Sequence, residues 1–155
     1  VLGLLGTKAP PQGLAHAEWN DVVSCVEDPV LLRRARHVIT EQARVTEAAQ
    51  RLAEGNLPAF GQLLNGSHAS LRDDYEVSGF HLDTIVAAAQ EATGCLGARM
   101  TGAGFGGCAL ALVRSGSVDA FTQHVRSRYM EATGLDPAFY VAQTSDGVHE
   151  VTRNV

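Results

Sequence analysis

The stretch RMTGAGFGGCALALV, residues Arg99 to Val113, decides how the chain is read. Gly102, Gly104, Gly106 and Gly107 fall within six positions, and the apolar run Cys108 to Val113 follows at once. Gly102, Gly104 and Gly107 fit G-x-G-x-x-G, the spacing of a dinucleotide-binding turn. That turn needs a helix behind the glycines, because the helix N-terminus faces the pyrophosphate. Cys108 to Val113 is too short, too apolar and too poorly capped for such a helix, and reads as a buried strand. No Lys-Ser or Lys-Thr follows the glycines, which excludes the Walker pattern as well. With Leu96 to Met100 as a short strand in front, the unit is strand, glycine loop, strand. Glycine permits positive φ and close approach of another backbone or a ligand, and successive N–H groups in such a loop can form a nest for an anion. Spacing alone leaves two readings open, a wide hairpin whose glycines serve geometry and a loop that faces a ligand.

Upstream of this unit the pattern is helical. Residues 1–28 read as irregular, since Gly3, Gly6, Pro10, Pro11 and Gly13 interrupt any period, although a short helix across Leu14 to Cys25 is allowed. Asp28-Pro29 then supplies an N-cap and a proline at the first helical position. Leu31, Leu32, Ala35, Val38, Ile39, Ala43, Val45, Ala49 and Leu52 follow at helical spacing until Gly55, which predicts a helix of about 25 residues. A second helix is predicted from Asn56-Leu57-Pro58, with a break near Gly66, and a third over Leu82 to Thr93. Behind the strand pair, Ser115 or Ser117 caps a helix that ends at Gly134, and Phe139 to Ala142 reads as a last strand. Helices first, then strand, strand, helix, strand predict an α+β domain with a small antiparallel sheet packed against helices.

Composition narrows the function classes. Apolar residues make up 45% of the 155 and charged residues 19%, which fits a globular domain. Twelve basic against 17 acidic side chains give a net charge of −5 and no footprint for nucleic acid. No run approaches a membrane span, so the expectation is a cytoplasmic protein with no membrane or nucleic-acid partner. Cys25, Cys95 and Cys108 lack metal or redox spacing and are expected to be small buried thiols, and no metal site is predicted. The chain opens Val1-Leu2-Gly3 without a Met, so we expect a piece of something longer.

Three segments together carry a resemblance. Arg99 to Val113 resembles the third motif of galactokinases, which belong to the GHMP superfamily of small-molecule kinases. RRARHVITE, Arg33 to Glu41, and GQLLNGSHASLRDDYEVS, Gly61 to Ser78, resemble two further galactokinase segments. Phe139 to Val141 and Ser145-Asp146-Gly147 are similar to the family's C-terminal strand and tail. The family commonly has Cys-Pro-Glu where this chain has Gly79-Phe80-His81, and Glu where it has Gly66. The family's sugar-gripping segment, its Gly-Leu-Ser-Ser-Ser phosphate loop and its catalytic Asp and Arg have no counterpart here.

The resemblance implies a GHMP kinase C-terminal domain of ferredoxin-like architecture over residues 29–155, behind a segment 1–28 at a truncation point, with the N-terminal domain absent. It implies a parent that transfers the γ-phosphoryl of ATP, with Mg2+, to the anomeric hydroxyl of galactose. The alternative is a galactokinase-like sugar sensor without turnover. No catalytic residue is expected in these 155 residues. Thr101, Gly102, Ala103, Gly104, Phe105, Gly106 and Gly107 are expected at the cleft, propping the phosphate loop of the other half. Ser67, His68, Arg72, Asp73 and Asp74 are candidates for a supporting layer, either organising a substrate edge or pairing among themselves. Arg33, Arg34 and Arg36 read as a solvated or interdomain helix face, with Glu41 off the spacing for a pair with Arg36. His81 reads as a surface or cap residue, and Trp19 as core or as a face covered by the missing half. Alone, the chain is expected to be inactive, to bind neither ATP nor Mg2+, and to self-associate or loosen its glycine loop and N-terminal segment.

Overall fold

A computed structural model describes residues 1–10 and 12–143. Ser145-Asp146-Gly147 lie outside them. The long helix α3, Pro29–Ala53, begins and ends where its sequence signals stand. The Asp28 carboxylate accepts the N–H groups of Val30 and Leu31 at 2.7 and 3.3 Å, satisfying donors that the first turn leaves unpaired. Ahead of α3, residues 1–10 and 12–28 hold more regular structure than expected. They form α1, Leu2–Leu5, two 3-10 turns and α2, Trp19–Cys25. Leu5, Ala17, Val22 and Val26 pack into one apolar cluster with Ala35 of α3. Gly3 lies within α1 and Gly6 opens a 3-10 turn, and burial against α3 holds these short elements. Trp19 joins this cluster, and the Arg36 guanidinium stands 5.5 Å above its ring.

Helix α4, Leu57–Ser70, starts at Asn56, whose side chain accepts the Ala59 N–H at 3.1 Å. It runs straight through Gly66, where a break was expected. A helical glycine costs about 1 kcal/mol relative to alanine. Helix α4 lies between α3 and the sheet, with Gly61, Ser67, His68 and Ser70 buried, and that packing outweighs so small a preference. It passes directly into a five-residue π-helical turn, Leu71–Tyr75.

The sheet is a hairpin of β1, Cys95–Thr101, and β2, Cys108–Val113, paired antiparallel from Cys95↔Val113 to Thr101↔Cys108 with an irregularity at Cys95/Gly97. Helices α5, Phe80–Glu91, and α6, Val118–Thr133, cover one face, where Val86, Ala88, Ala89, Phe121 and Val125 enclose Ala98. Gly134 ends α6 at φ 72°, as its position predicted. Helix α4 covers the β1 side of the opposite face. This is the expected α+β arrangement, with the hairpin as the only sheet among the described residues.

The strand predicted over Phe139 to Ala142 does not form. The outer edge of β1 is already occupied by side chains: Asn65 Oδ1 accepts the Ala98 N–H at 2.9 Å, Gln90 donates to the Ala98 carbonyl at 3.1 Å, and His68 Nδ1 accepts the Met100 N–H at 3.3 Å. Phe139 instead packs against the α5/α6 cluster under Arg126, while Tyr140 is 90% exposed. Phe139 is held by helix packing, and the segment joins neither edge of the hairpin.

Gly61 and Gly97 set how closely α4 approaches β1. A Cβ on Gly97 would stand 1.9 Å from the Gly61 carbonyl oxygen, and one on Gly61 would stand 2.1 Å from the carbonyl oxygen of Leu96. Gly97→Ala is therefore expected to cost about 3 kcal/mol in urea unfolding, the upper range for forcing extra volume into a packed contact. Gly116→Ala, which meets no neighbour, should stay within about 0.5 kcal/mol of the parent. Equal midpoints for the two variants would refute the close-contact account.

Candidate functional site: the glycine loop and its supports

The loop between β1 and β2 turns on four glycines with positive φ: Gly102 at 83°, Gly104 at 87°, Gly106 at 147° and Gly107 at 100°. Thr101, Gly102, Ala103, Gly106 and Gly107 are exposed, and Phe105 is 77% exposed at φ 60°. The loop rests on Val77. The Phe105 N–H donates to the Val77 carbonyl at 2.7 Å, and a Cβ on Gly104 would meet the same oxygen at 2.0 Å. Val77 in turn packs on a small cluster of Leu71, Leu82 and Met100. A Cβ on Gly102, Gly106 or Gly107 would meet nothing within 4 Å. The loop is thus held at Gly104 and Phe105 and open elsewhere, which leaves room for close approach by a neighbouring backbone or a phosphate-bearing ligand.

Below the loop sits a charged network. Arg99, two residues before it, donates to Glu41 Oε1 at 3.0 Å and to Ser67 Oγ at 2.7 Å. The Ser67 hydroxyl donates to the same carboxylate, and Arg44 Nε binds its other oxygen at 2.7 Å. Burial pushes the Glu41 carboxyl up, but the Ser67 hydroxyl, Arg44 and Arg99 outweigh it and hold the group below its ordinary value. Glu41 therefore matters more than its distance from Arg36 suggested, because α3 and α4 bring it beside β1.

His68 is buried against β1. Its Nδ1 accepts the Met100 N–H, so the proton of the neutral ring lies on Nε2, 3.3 Å from Asp83 Oδ1. Its carboxylate neighbour is thus Asp83 of α5, neither Asp73 nor Asp74 as the sequence suggested. Desolvation lowers the His68 pKa, against the opposing pull of Asp83, with Arg72 and Arg99 adding to the lowering. Arg72 and Asp73 pair with each other at 2.7 Å on the exposed side of the π turn. Asp74 faces α3, where Arg36 binds it at 3.4 Å, and it also accepts the hydroxyl of Ser70 of α4 at 3.3 Å. His37 stacks on Tyr75 with ring centroids 4.5 Å apart and shares a 3.0 Å hydrogen bond with Ser70.

The candidate residues thus separate into three places. The loop stands at the hairpin tip, Ser67 and His68 support the strand leading into it, and Arg72, Asp73 and Asp74 belong to the turn that follows α4. Arg33 and Arg34 share the Glu76 carboxylate and Arg36 pairs with Asp74, so each arginine of this face has an acidic partner. His81 is exposed and shares a 3.3 Å hydrogen bond with the Tyr129 hydroxyl. Cys25 and Cys95 are partly buried thiols, but Cys108 is exposed, because it opens β2 on the face that α4 leaves uncovered. Among the described residues, no group of three or more His, Cys, Asp or Glu side chains is placed to share a metal ion, and no helix is long and apolar enough to cross a membrane.

Comparison with known proteins places this architecture. Residues 47–131 match the family model of the GHMP kinases C terminal, and the chain belongs to that family. Within it, the chain is similar to galactokinases. It is 45% identical over 138 residues to that of Clostridium beijerinckii and 52% identical over 126 residues to that of Enterococcus faecalis, covering 89% and 81% of this chain. The crystal structure of Lactococcus lactis galactokinase complexed with galactose superposes with a TM-score of 0.87 at 46% identity over 94% of this chain. The match spans 36% and 33% of the two relatives and 38% of the crystallised chain, so the chain covers about a third of their length.

The buried histidines give a pH test. His37 and His68 both have pKa values lowered by burial, His37 against Glu41 and Asp74 and alongside Arg44 and Arg99. A histidine held neutral in the fold takes its proton in the unfolded chain first, so stability is lost as pH falls below the ordinary value of about 6.5. The urea midpoint should fall between about pH 7.5 and about pH 5.5, above the range where carboxylates titrate. His37→Asn and His68→Asn should each flatten part of that fall. A midpoint that stays level or rises on acidification would contradict the burial of these rings.

Proposed function

We propose that this chain acts as the C-terminal part of a galactokinase. In the full-length polypeptide the γ-phosphoryl of ATP would pass to the anomeric hydroxyl of galactose, with the sugar oxygen forming the new P–O bond, ADP leaving, and the hydroxyl proton taken by a base in the upstream half. Bound Mg2+ would supply charge neutralisation on the phosphates. The loop Thr101 to Gly107 would supply position. Its glycines leave room for the triphosphate or for the loop that wraps it, and its tether to Val77 holds that surface in place. The loop carries no charged side chain of its own, and Arg99 is committed to Glu41, which suits a propping role.

The observation that carries this reading is the open, one-sided loop on a chain that matches galactokinases at 45–52% identity. The relative crystallised with galactose supports the sugar as substrate. Leu110 lies on the sheet face away from α5 and α6 and is 55% exposed, which supports an upstream domain as the partner of that face and self-association when it is missing.

ATP-dependent galactose phosphorylation by the 155 residues alone, beside the same chain joined to its upstream half, tests the proposal. Turnover is expected only in the longer protein. Turnover by the 155 residues would place catalysis on His68, Arg72, Asp73 or Asp74 and overturn the division of labour. No turnover in the longer protein, with galactose still bound, would favour a sensor.

A further inference from the structure

Two non-glycine residues among those described have positive φ, Glu76 at 59° and Phe105 at 60°. Side chains rarely adopt this region, and such residues persist where their surroundings over-determine them. The two are coupled through Val77, which follows Glu76 and whose carbonyl receives the Phe105 N–H. Glu76 itself is held from two directions. Its N–H and that of Val77 both donate to the carbonyl of Leu71, the first residue of the π turn. Each oxygen of its carboxylate takes one arginine of α3: Arg33 at 2.9 Å on Oε1 and Arg34 at 2.6 Å on Oε2. Arg34 also donates to the Asp74 carbonyl within the same turn.

We propose that Arg33 and Arg34, acting through Glu76, are positioning residues for the glycine loop. They fix the left-handed turn that aims the Val77 carbonyl at Phe105 and Gly104. Exposed ion pairs contribute little to global stability, so the consequence of this clamp is local to the loop. Its kinetic effect rests on the reading of the loop as part of a phosphoryl-transfer cleft, while its structural effect stands on the geometry alone.

Amide hydrogen exchange on the 155-residue chain tests the structural part. Glu76→Ala should speed exchange at Phe105 by about tenfold or more, with the core amides of Val86 and Val125 unchanged. Glu76→Gln, which keeps an acceptor oxygen for one arginine, should recover part of the protection. In the full-length polypeptide, Glu76→Ala should lower kcat by about tenfold, with the KM for galactose within about twofold of the parent. Unchanged exchange at Phe105, or faster exchange at Phe105 and the core together, would overturn the proposal. So would a KM effect with kcat intact. If the unsubstituted full-length protein does not phosphorylate galactose, the functional reading falls, and the exchange rates alone decide whether the clamp exists.

Discussion

The fold depends on two glycines that let a helix lie directly on a strand. Gly61 in α4 and Gly97 in β1 leave no room for a Cβ on either side of their contact, so backbone meets backbone. From that point the two elements keep pace. Seven residues of helix rise about 10 Å, as do three residues of strand, so His68 arrives opposite Met100 just as Gly61 stands opposite Gly97. Asn65 and His68 therefore reach the N–H groups of Ala98 and Met100 and close the strand edge with side chains. The same geometry seats Ser67 beside Arg99 and delivers β1, fixed along its length, to the point where the glycine loop departs.

Much of this was legible in the residues where a local signal and the tertiary structure agree. Asp28-Pro29 and Gly55 bracket α3 because capping and chain reversal are local chemistry. The strand–loop–strand reading of Arg99 to Val113 rested on what cannot follow the glycines, and it stands. Gly66 misled because propensity is worth about 1 kcal/mol and α4 is clasped on two sides. Phe139 to Ala142 misled because apolar content does not reveal what the side chains will pack on, and Phe139 packs on α5 and α6 instead of extending the hairpin. The irregular look of residues 1–28 came from weak helix formers, yet Gly3 sits within α1 and Gly6 opens a 3-10 turn.

The site divides along the same line. Clustered glycines announce a loop, so Gly102 to Gly107 could be found by eye. Ser67 and His68 were among the candidates for its support, but their partners could not be found this way, because each lies remote in sequence. Glu41 meets Arg99 only once α3 and α4 are packed, and Asp83 meets His68 only once α5 crosses β1. Asp73 and Asp74 were attractive partners for His68 by proximity along the chain, but the π turn sends Asp73 to Arg72 and Asp74 toward α3. A buried histidine is matched by what packs on it, and sequence distance says little about that.

Charge bears on the division of labour that the proposed function assigns to this chain. The arginines of α3 and β1 look like an anion site when written out, yet Arg33 and Arg34 bind Glu76, Arg36 binds Asp74, and Arg44 and Arg99 bind Glu41. Each pair joins α3 to the π turn or to β1, or braces the carboxylate that does so. At the glycine loop itself there is open space around Gly102, Gly106 and Gly107 and no charged side chain. Phosphoryl transfer needs positive charge around the moving group as well as a fixed path for it. Under the proposed function these two requirements fall to different halves of one polypeptide. These arginines are engaged with Glu41, Asp74 and Glu76, so on that reading the charge around the moving phosphoryl comes from the upstream part.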